Sequence, residues 1–430
     1  MNKFKRLPII GCAVVLSAVL SGCGGGGSSS GSASLRLVNA TLTHPSLDLL
    51  VNTSVAASKT AADNASAYVA AGSGTDTLQI NDAGAATALV SSTRSLTQDL
   101  HYTLVAYESG GAVKTAVLTE DFAAPIAGTA QLRIYDTATD AGALDVYITD
   151  PTTDLAGVAS PTLSITADLF AASSGLLVYS PGTYRVRVTG AGKKSDLRVD
   201  MPVTLASLQI GTVVLTPASG GLLLNGSTLI QQSTYAATRN ATARVRLVAA
   251  VSGGSSVSAM AGAAVIDAGT VSPAVDSYVV VPAAGALSVS VGGIAIAAPA
   301  AGLTAGSDAT LLVYTNPATA ATTASLIADD NRRPSVSTNV KMRLVNGVTG
   351  TATTLALAAN FTSLATGVAP GAASAYGLVA SSTAMRLDVT SPLKPSFYTA
   401  PSLNIFGDSV YTMFMLGDFG TPQAMLSKDR

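Results

Sequence analysis

The chain has little cysteine, little charge and few aromatic residues. It contains two cysteines and no tryptophan, and only 11% of its 430 residues are charged. Cys12 lies inside an apparent export signal and Cys23 at its end, so no thiol remains for disulfides, thiolate metal sites or a cysteine nucleophile. An exported chain of this length without disulfides must be stabilised by core burial, and we expect several domains.

Basic residues are also scarce. Removal of the signal takes away Lys3, Lys5 and Arg6, so 24 − 3 = 21 basic residues face 25 acidic ones, a net charge of −4. Without a basic surplus to neutralise phosphates, nucleic acid is not an expected partner. No mature stretch approaches about 18 continuous apolar residues, so no membrane-spanning helix is expected either.

The first 23 residues have the three parts of an export signal. A basic start is followed by an apolar segment over residues 8–20, which is shorter than the about 20 residues that span a bilayer. Leu20-Ser21-Gly22-Cys23 resembles the lipobox of bacterial lipoproteins. That resemblance implies cleavage between Gly22 and Cys23 and acylation of Cys23, and Gly24 in the next position favours the outer membrane. The alternative is an ordinary secretory signal with an incidental cysteine.

A glycine- and serine-rich stretch separates Cys23 from the first predicted strand. Residues 24–32 read GGGGSSSGS, and nine such residues give a flexible tether with a reach of about 17 Å. Because one acyl chain holds a protein to a membrane only marginally, stable anchoring needs the several chains of a triacylated cysteine. The predicted partner is therefore the membrane through an N-terminal lipid anchor, with the protein facing the periplasm or the cell surface.

A short arginine-centred strand occurs four times. The spacing of its arginines is 97, 113 and 97 residues. A tyrosine and a closing strand follow each copy at similar offsets, which predicts a fourfold tandem repeat. The second repeat is longer, which indicates an insertion near residues 150–164. The arginines are Arg36, Arg133, Arg246 and Arg343, and the tyrosines are Tyr68, Tyr179, Tyr278 and Tyr376.

Local patterns predict β-structure. Val186 lies between Arg185 and Arg187, and such alternation indicates a strand with one buried and one wet face, so we expect Arg187 to be exposed. Short strands in units of about 100 residues predict an all-β chain of tandem immunoglobulin-like antiparallel β-sandwich domains. Each unit is expected to fold independently. The predicted parts are the signal (1–22), the lipidated cysteine and tether (23–32), and four repeats (33–124, 128–235, 240–332 and 337–430).

Three segments carry a resemblance to a known family. They are Leu35-Arg36-Leu37-Val38-Asn39-Ala40 with Leu47-Asp48-Leu49, then Leu132-Arg133-Ile134-Tyr135 with Leu144-Asp145-Val146-Tyr147, and finally Pro181-Gly182-Thr183-Tyr184-Arg185-Val186. They resemble the bacterial domain of unknown function 4397 (DUF4397). The resemblance implies sandwich repeats exported to the cell envelope, without an established activity or catalytic residues.

Candidate catalytic and metal-ligating residues are few. His44 and His101 are the only histidines, and we expect both to be structural or surface residues. The sequence Gly27-Ser28-Ser29-Ser30-Gly31 matches a nucleophile pattern, but that pattern needs a strand before it and a helix after it, and here it lies in the predicted tether, so we expect no nucleophile. Gly190 to Ser195 fails the spacing of a phosphate loop and predicts a hairpin turn with solvated lysines. Asp136, Asp140 and Asp145 form an oxygen-rich cluster where calcium is a hypothesis, although isolated aspartates usually cap turns.

The composition favours a structural or binding protein over an enzyme. We predict a non-enzymatic lipoprotein anchored to the outer membrane, with no cofactor, no resident metal and no catalytic residue, that acts as an envelope scaffold, spacer or protein-interaction module. Envelope proteins or polymers are the expected partners. The alternative is a periplasmic or cell-surface protein that binds a small molecule or polymer between adjacent domains. The four arginines are predicted to lie on the wet face of the first strand of each repeat.

Overall fold

The computed structural model describes residues 31–138, 141–166 and 175–430. Nearly all regular structure in these residues is β, apart from 3-10 turns at Leu155–Gly157 and Ser252–Gly254. Eight sheets form four pairs, so the prediction of tandem β-sandwich repeats is confirmed. Among the described residues, no helix has the length and apolar character needed to cross a membrane.

Each repeat contributes nine strands in the described residues, five in one sheet and four in the other. Repeat 1 has β1 (Ser32–Asn39), β2 (Ser46–Val51), β3 (Ser54–Ala61), β4 (Asn64–Ala65), β5 (Val69–Gly72), β6 (Gly74–Asp82), β7 (Ala88–Leu96), β8 (His101–Ser109) and β9 (Ala112–Thr119). Repeat 2 has β10 (Ala130–Asp136), β11 (Leu144–Thr149), β12 (Leu163–Ile165), β13 (Leu177–Tyr179), β14 (Gly182–Gly190), β15 (Lys193–Leu205), β16 (Ile210–Pro217), β17 (Leu224–Ile230) and β18 (Tyr235–Thr238).

The second half of the chain repeats this arrangement. Repeat 3 has β19 (Thr242–Ala250), β20 (Ser256–Ala261), β21 (Ala264–Val271), β22 (Ala274–Val275), β23 (Val279–Pro282), β24 (Leu287–Val291), β25 (Ile294–Ile296), β26 (Asp308–Thr315) and β27 (Thr322–Asp329). Repeat 4 has β28 (Asn339–Thr349), β29 (Leu355–Ala359), β30 (Thr362–Val368), β31 (Ala372–Ala373), β32 (Gly377–Ala380), β33 (Ser382–Ser391), β34 (Lys394–Ile405), β35 (Ser409–Asp418) and β36 (Gln423–Lys428).

The first strand of each repeat lies parallel to a closing strand in the five-stranded sheet. The parallel pairs are β1–β8, β10–β16, β19–β26 and β28–β35, and the other pairs among the described residues are antiparallel. The four-stranded sheet packs against the inner face of this pair. In repeat 1, Leu35, Leu37 and Leu104 of the first and closing strands meet Leu49 and Ile80 of the opposite sheet, and all are buried.

The insertion in repeat 2 lies between β11 and β12. These strands are separated by residues 150–162, whereas Asn52 and Thr53 alone join β2 to β3 in repeat 1. Both of those turn residues have positive φ angles, 48° and 71°, as tight hairpins require. The prediction that Arg187 is exposed was wrong. Val186 is buried as expected, but Arg187 on the other face is also buried, and its Nη2 donates to Thr149 Oγ1 at 2.8 Å.

The repeats pack in pairs through the outer faces of their five-stranded sheets. We call the contact between repeats 1 and 2 seam 1–2, and that between repeats 3 and 4 seam 3–4. The first and closing strands are consequently buried on both faces. The apolar residues of seam 1–2 include Val38, Val105, Tyr107, Leu118, Tyr135, Val214 and Leu229, and those of seam 3–4 include Val248, Leu312, Tyr314, Val345, Phe414 and Leu416.

The two pairs of repeats also contact each other. The turn between β16 and β17 brings Gly220 against repeat 3, where its N–H donates to the Gly306 carbonyl at 2.9 Å. Arg430, after β36, donates to the Gly221 carbonyl at 2.9 Å. A Cβ atom on Gly220 would lie 2.6 Å from the backbone nitrogen of Asp308, so the close approach requires glycine.

Candidate functional site

The four repeated arginines are buried in the seams, so their predicted place on a wet face was wrong. Arg36 is 3% exposed and Arg246 is 1% exposed. Each does project from the outer face of its own sandwich, as the period-two pattern implied, but the neighbouring repeat covers that face. Each Nε donates to a threonine that lies beside it on the closing strand, and these threonines are Thr103, Thr212, Thr310 and Thr412, at 2.8, 2.8, 3.0 and 3.2 Å.

In seam 1–2, Arg36 forms an ion pair with Glu120, which is 1% exposed. Its Nη2 lies 2.9 Å from Glu120 Oε2, and its Nη1 donates to the Ser233 carbonyl of repeat 2 at 2.6 Å. Tyr68 OH donates to Glu120 at 2.8 Å, and the Arg36 guanidinium lies 4.7 Å from the centre of the Tyr68 ring. The Gln232 N–H, also from repeat 2, donates to Glu120 at 2.7 Å. Both members of the ion pair therefore bind the partner repeat.

In seam 3–4, each arginine is paired with a carboxylate of the other repeat. Arg246 of repeat 3 donates to both oxygens of Asp429 of repeat 4, at 2.5 and 3.1 Å. Arg343 of repeat 4 donates to Asp329 of repeat 3. The hydroxyl of Tyr278 donates to Asp329 at 2.5 Å. This exchange joins the two repeats by two buried ion pairs.

Repeat 2 departs from this arrangement. The strand register places Leu176, and not Tyr179, where the other repeats have their tyrosine, because Leu132 pairs with Leu177 as Leu35 pairs with Val69. The position of the seam carboxylate holds Gln231. Arg133 therefore stacks on Phe122 at 4.6 Å and donates to the Thr119 carbonyl at 3.1 Å. The prediction that Tyr179 is the equivalent of the other three tyrosines was therefore wrong.

The electrostatics differ between the seams. Burial lowers the pKa of Arg133, and Glu120 offsets this only in part. For Arg246, burial also acts to lower the pKa, but Tyr278 and Asp429 outweigh it, and the pKa lies above its ordinary value. Burial raises the pKa of Tyr107 in seam 1–2 to about 12. The surroundings of Arg246 thus favour its charged form, and burial favours the neutral form of Tyr107.

The seam carboxylates were not identified from the sequence. They lie at the end of the strand that follows each closing strand or directly after it, 17 or 19 residues beyond the threonine that contacts the arginine. A second signal was the unbroken apolar character of the closing strands, such as Thr212-Val213-Val214-Leu215, which is typical of strands buried on both faces. The seam carboxylates are Glu120, Asp329 and Asp429, and Gln231 holds the equivalent place in repeat 2.

The two histidines lie at opposite ends of β8. His44 Nδ1 is 2.7 Å from Asp82, and its Nε2 is 3.8 Å from Glu108 at the end of that strand. His101 at the start of β8 has its Nδ1 3.0 Å from Asp121. Seven residues of strand separate the two groups by roughly 23 Å. The histidines therefore do not share a site, and each ties two segments of repeat 1 together.

The aspartates of the calcium hypothesis already have protein partners where the structure describes them. Asp136 accepts from the Ala138 N–H at 2.8 Å. Asp145 accepts from Ser164 Oγ at 2.5 Å and from the Gly192 N–H at 2.8 Å. Asp140 lies outside the described residues, as do Gly22 and Cys23. No group of three or more histidine, cysteine, aspartate or glutamate side chains suited to a metal occurs in the described part of the chain.

Two grooves flank seam 3–4. Each lies between the last strand of one repeat and a mid-repeat segment of the other. The larger, which we call the β36 groove, has a volume of about 1000 Å³ and lies between β36 and residues 275–280 of repeat 3. The smaller, of about 550 Å³, lies between β27 and residues 371–376 of repeat 4. Lys193 of the β14–β15 hairpin, predicted as a solvated lysine, is exposed and lines the β36 groove.

A protein-family model matches part of the chain. The family model described as "Domain of unknown function (DUF4397)" matches residues 33–147, which confirms the resemblance over repeat 1 and the first two strands of repeat 2. No curated protein matches the chain.

Two solved structures are similar to this chain at low identity. One is described as a "putative cell adhesion protein" from Bacteroides uniformis ATCC 8492, with 13% identity, coverage of 70% of this chain and 100% of that one, and a TM-score of 0.16. The other is the Bacillus anthracis TIE protein, with 8% identity, coverage of 91% and 67%, and a TM-score of 0.15. Scores this low carry no argument about function.

Proposed function

We propose that this protein is a non-enzymatic, lipid-anchored scaffold of the outer membrane that presents an interaction surface on a rigid body. The observation that carries the proposal is the use of its buried charges. Arg36, Arg246 and Arg343 each bind a carboxylate in a seam, and this holds also for Arg246 and Arg343, which line the two grooves of seam 3–4. Buried groups of this kind are usual in active sites, but here they join repeats to each other, which favours a mechanical or binding role.

Rigidity is the property that such a scaffold needs. The seams bury aromatic and aliphatic side chains from both partners, and the segment between repeats 2 and 3 is also held. Arg239 in that segment lies 2.7 Å from Asp63 of repeat 1, and Asn240 Nδ2 donates to the Leu224 carbonyl at 2.9 Å. The four repeats would therefore move as one body on the predicted tether of residues 24–32.

The anchor is tested by Cys23→Ala. The wild-type protein should fractionate with outer membranes and incorporate a radiolabelled fatty acid, and the variant should do neither. Ser21→Ala is the matched control, because it keeps a small residue before the cleavage site and should leave both properties unchanged. A Cys23→Ala variant that stays in the membrane fraction with a labelled acyl chain would contradict the proposal.

A second candidate function is binding of a ligand between repeats, and the β36 groove favours it. Its walls come from repeats 2, 3 and 4, and it has the volume of a small-molecule or peptide site. A thermal-shift panel of envelope glycans, peptides and metabolites tests this role. A reproducible rise in melting temperature with one class of compound would support it, and loss of envelope integrity in a deletion strain without any shift would favour the scaffold alone.

A further inference from the structure

Among the described residues, one short strand of repeat 2 has no counterpart in repeat 4. After β17, the chain turns back and adds β18 to the edge of β17, with Ile230 N–H donating to the Thr234 carbonyl at 2.8 Å. β18 lies beside β4 of repeat 1. Tyr235 of this strand packs on seam 1–2 together with Ala65. The strand therefore fills the space between the closing hairpin of repeat 2 and the middle of repeat 1.

The equivalent edge in repeat 4 is β36, and it borders the β36 groove. Among the described residues, β36 pairs with β35 alone. Asp429 N–H donates to the Val410 carbonyl at 2.8 Å, as Gln231 N–H donates to Ile210 in repeat 2. Because hydrogen bonds alternate along an antiparallel pair, the N–H groups of Leu426 and Lys428 point away from β35 into the groove. Leu426 and Lys428 correspond to Thr228 and Ile230 of repeat 2, whose N–H groups face β18.

The walls of the groove also lack the cover that Tyr235 gives in seam 1–2. Val275 and Met425 pack on the apolar cluster of seam 3–4 but remain partly exposed at its flank. Two exposed lysines, Lys193 and Lys428, line the groove, and neither has an ion-pair partner within 4.0 Å among the described residues, although Lys428 Nζ lies 5.1 Å from the centre of the Phe406 ring. Asp276 also lines the groove and accepts from Thr270 Oγ1 at 2.8 Å, and Asp196 and Asp429 line it as the partners of Arg198 and Arg246, so the lining holds four basic and three acidic side chains. The surface thus offers free backbone groups, an apolar patch and a surplus of positive charge.

We propose that the β36 groove accepts an extended polypeptide strand of a partner protein. The strand would add to the edge of β36 as β18 adds to β17, the usual geometry of strand addition. One inward side chain, aromatic or aliphatic, covers Val275 and Met425. A carboxylate on the strand pairs with Lys193 or Lys428. This proposal makes the proposed interaction role more specific. It rests on the proposed function only in assuming that the partner is a protein of the envelope.

The test uses a fluorescent peptide that copies β18. Its sequence is that of residues 233–240 with Arg239→Glu, which keeps the tyrosine and adds the carboxylate. Binding to the full-length protein in detergent is measured by fluorescence anisotropy, and amide hydrogen exchange identifies the site. We expect saturable binding and slower exchange at Leu426 and Lys428. Because no membrane is present, failure of the lipid anchor and failure of the strand site give separate results.

Lys428→Pro removes one of the edge N–H groups without touching the bonds to β35, and we expect it to weaken binding at least about tenfold. Lys428→Ala is the matched control. It removes the side chain and keeps the N–H, so it should bind the peptide more tightly than Lys428→Pro does. Both variants must melt near the wild type, and if Lys428→Pro does not, the exchange result on the wild type decides. Absence of binding, or slower exchange only in β17 through displacement of β18, would overturn the proposal.

Discussion

Asp329 of repeat 3 is the buried carboxylate that neutralises Arg343 of repeat 4 in seam 3–4, so its loss should strongly destabilise this pair of repeats. Its side chain is fully buried. It receives Arg343, the Tyr278 hydroxyl at 2.5 Å and Thr310 Oγ1 at 2.7 Å. Asp329→Asn keeps the shape of the side chain but removes the negative charge and one acceptor. Arg343 then remains buried without its counter-charge.

Breaking a buried ion pair from one side costs about 3–5 kcal/mol, because the remaining charge is left without solvent or partner. If repeats 3 and 4 unfold together, each kcal/mol lowers the melting temperature by about 2–4 °C, so Asp329→Asn should lower it by about 6–20 °C. Differential scanning calorimetry on the full chain measures the shift. The same trace shows whether repeats 3 and 4 unfold in one transition and whether that transition shifts as a whole.

Asp388→Asn is the matched control. Asp388 also pairs with an arginine, Arg386, at 2.7 and 2.8 Å, but on the outer face of the four-stranded sheet of repeat 4, and surface pairs contribute little to stability. The melting temperature of this variant should stay near that of the wild type. Equal shifts for the two variants would mean that the seam charges do not stabilise the pairing, and the account given of both seams would be wrong.

Three further predictions concern other parts of the fold. Burial raises the pKa of Asp308 from 3.8 to about 6 against the opposing effect of Arg244, so the folded state binds this proton more tightly than the unfolded state does. The free energy of unfolding should therefore fall as the pH rises from about 4 to about 6. Urea unfolding across that range should show this slope, and Asp308→Asn should lack it. Gly220→Ala should loosen the contact between the two pairs and speed proteolysis near residues 231–241, whereas Gly302→Ala, where a Cβ meets nothing within 4 Å, should not. Val186→Asp should cost repeat 2 several kcal/mol because it buries an unpaired carboxylate, and a melt as high as that of the exposed-site variant Thr183→Asp would contradict the assignment of its core.

The sandwich architecture could be predicted because alternation reports which side chains face the core of their own repeat. Leu35 and Leu37 in β1 and Val186 in β14 are buried as the pattern requires. The pattern could not report what covers the outer face. An arginine between apolar residues indicates water on that side, but the carboxylate that neutralises Arg246 lies 183 residues away, at Asp429 of the neighbouring repeat. Pairing between repeats depends on such distant complementarity.

The position of the proposed strand site in the β36 groove could not be predicted from the sequence. A ligand between adjacent domains was an alternative that the sequence allowed, but the proposed position depends on one strand, β18, for which repeat 4 has no equivalent among the described residues. Tyr179 illustrates the same limit at the level of register. Its spacing from Arg133 includes the insertion, and only the pairing of Leu132 with Leu177 shows that Leu176 takes the equivalent place.

The pairing of repeats restricts how a gene for such a protein can change its copy number. A duplication or deletion of one repeat would leave an outer sheet face without its cover, with Phe414 and Leu416 or their equivalents in water and, in seam 3–4, an arginine without its carboxylate. A change of two repeats at once would leave both seams complete. We therefore expect that related genes gain and lose this module in even steps, and that the heritable unit is the pair.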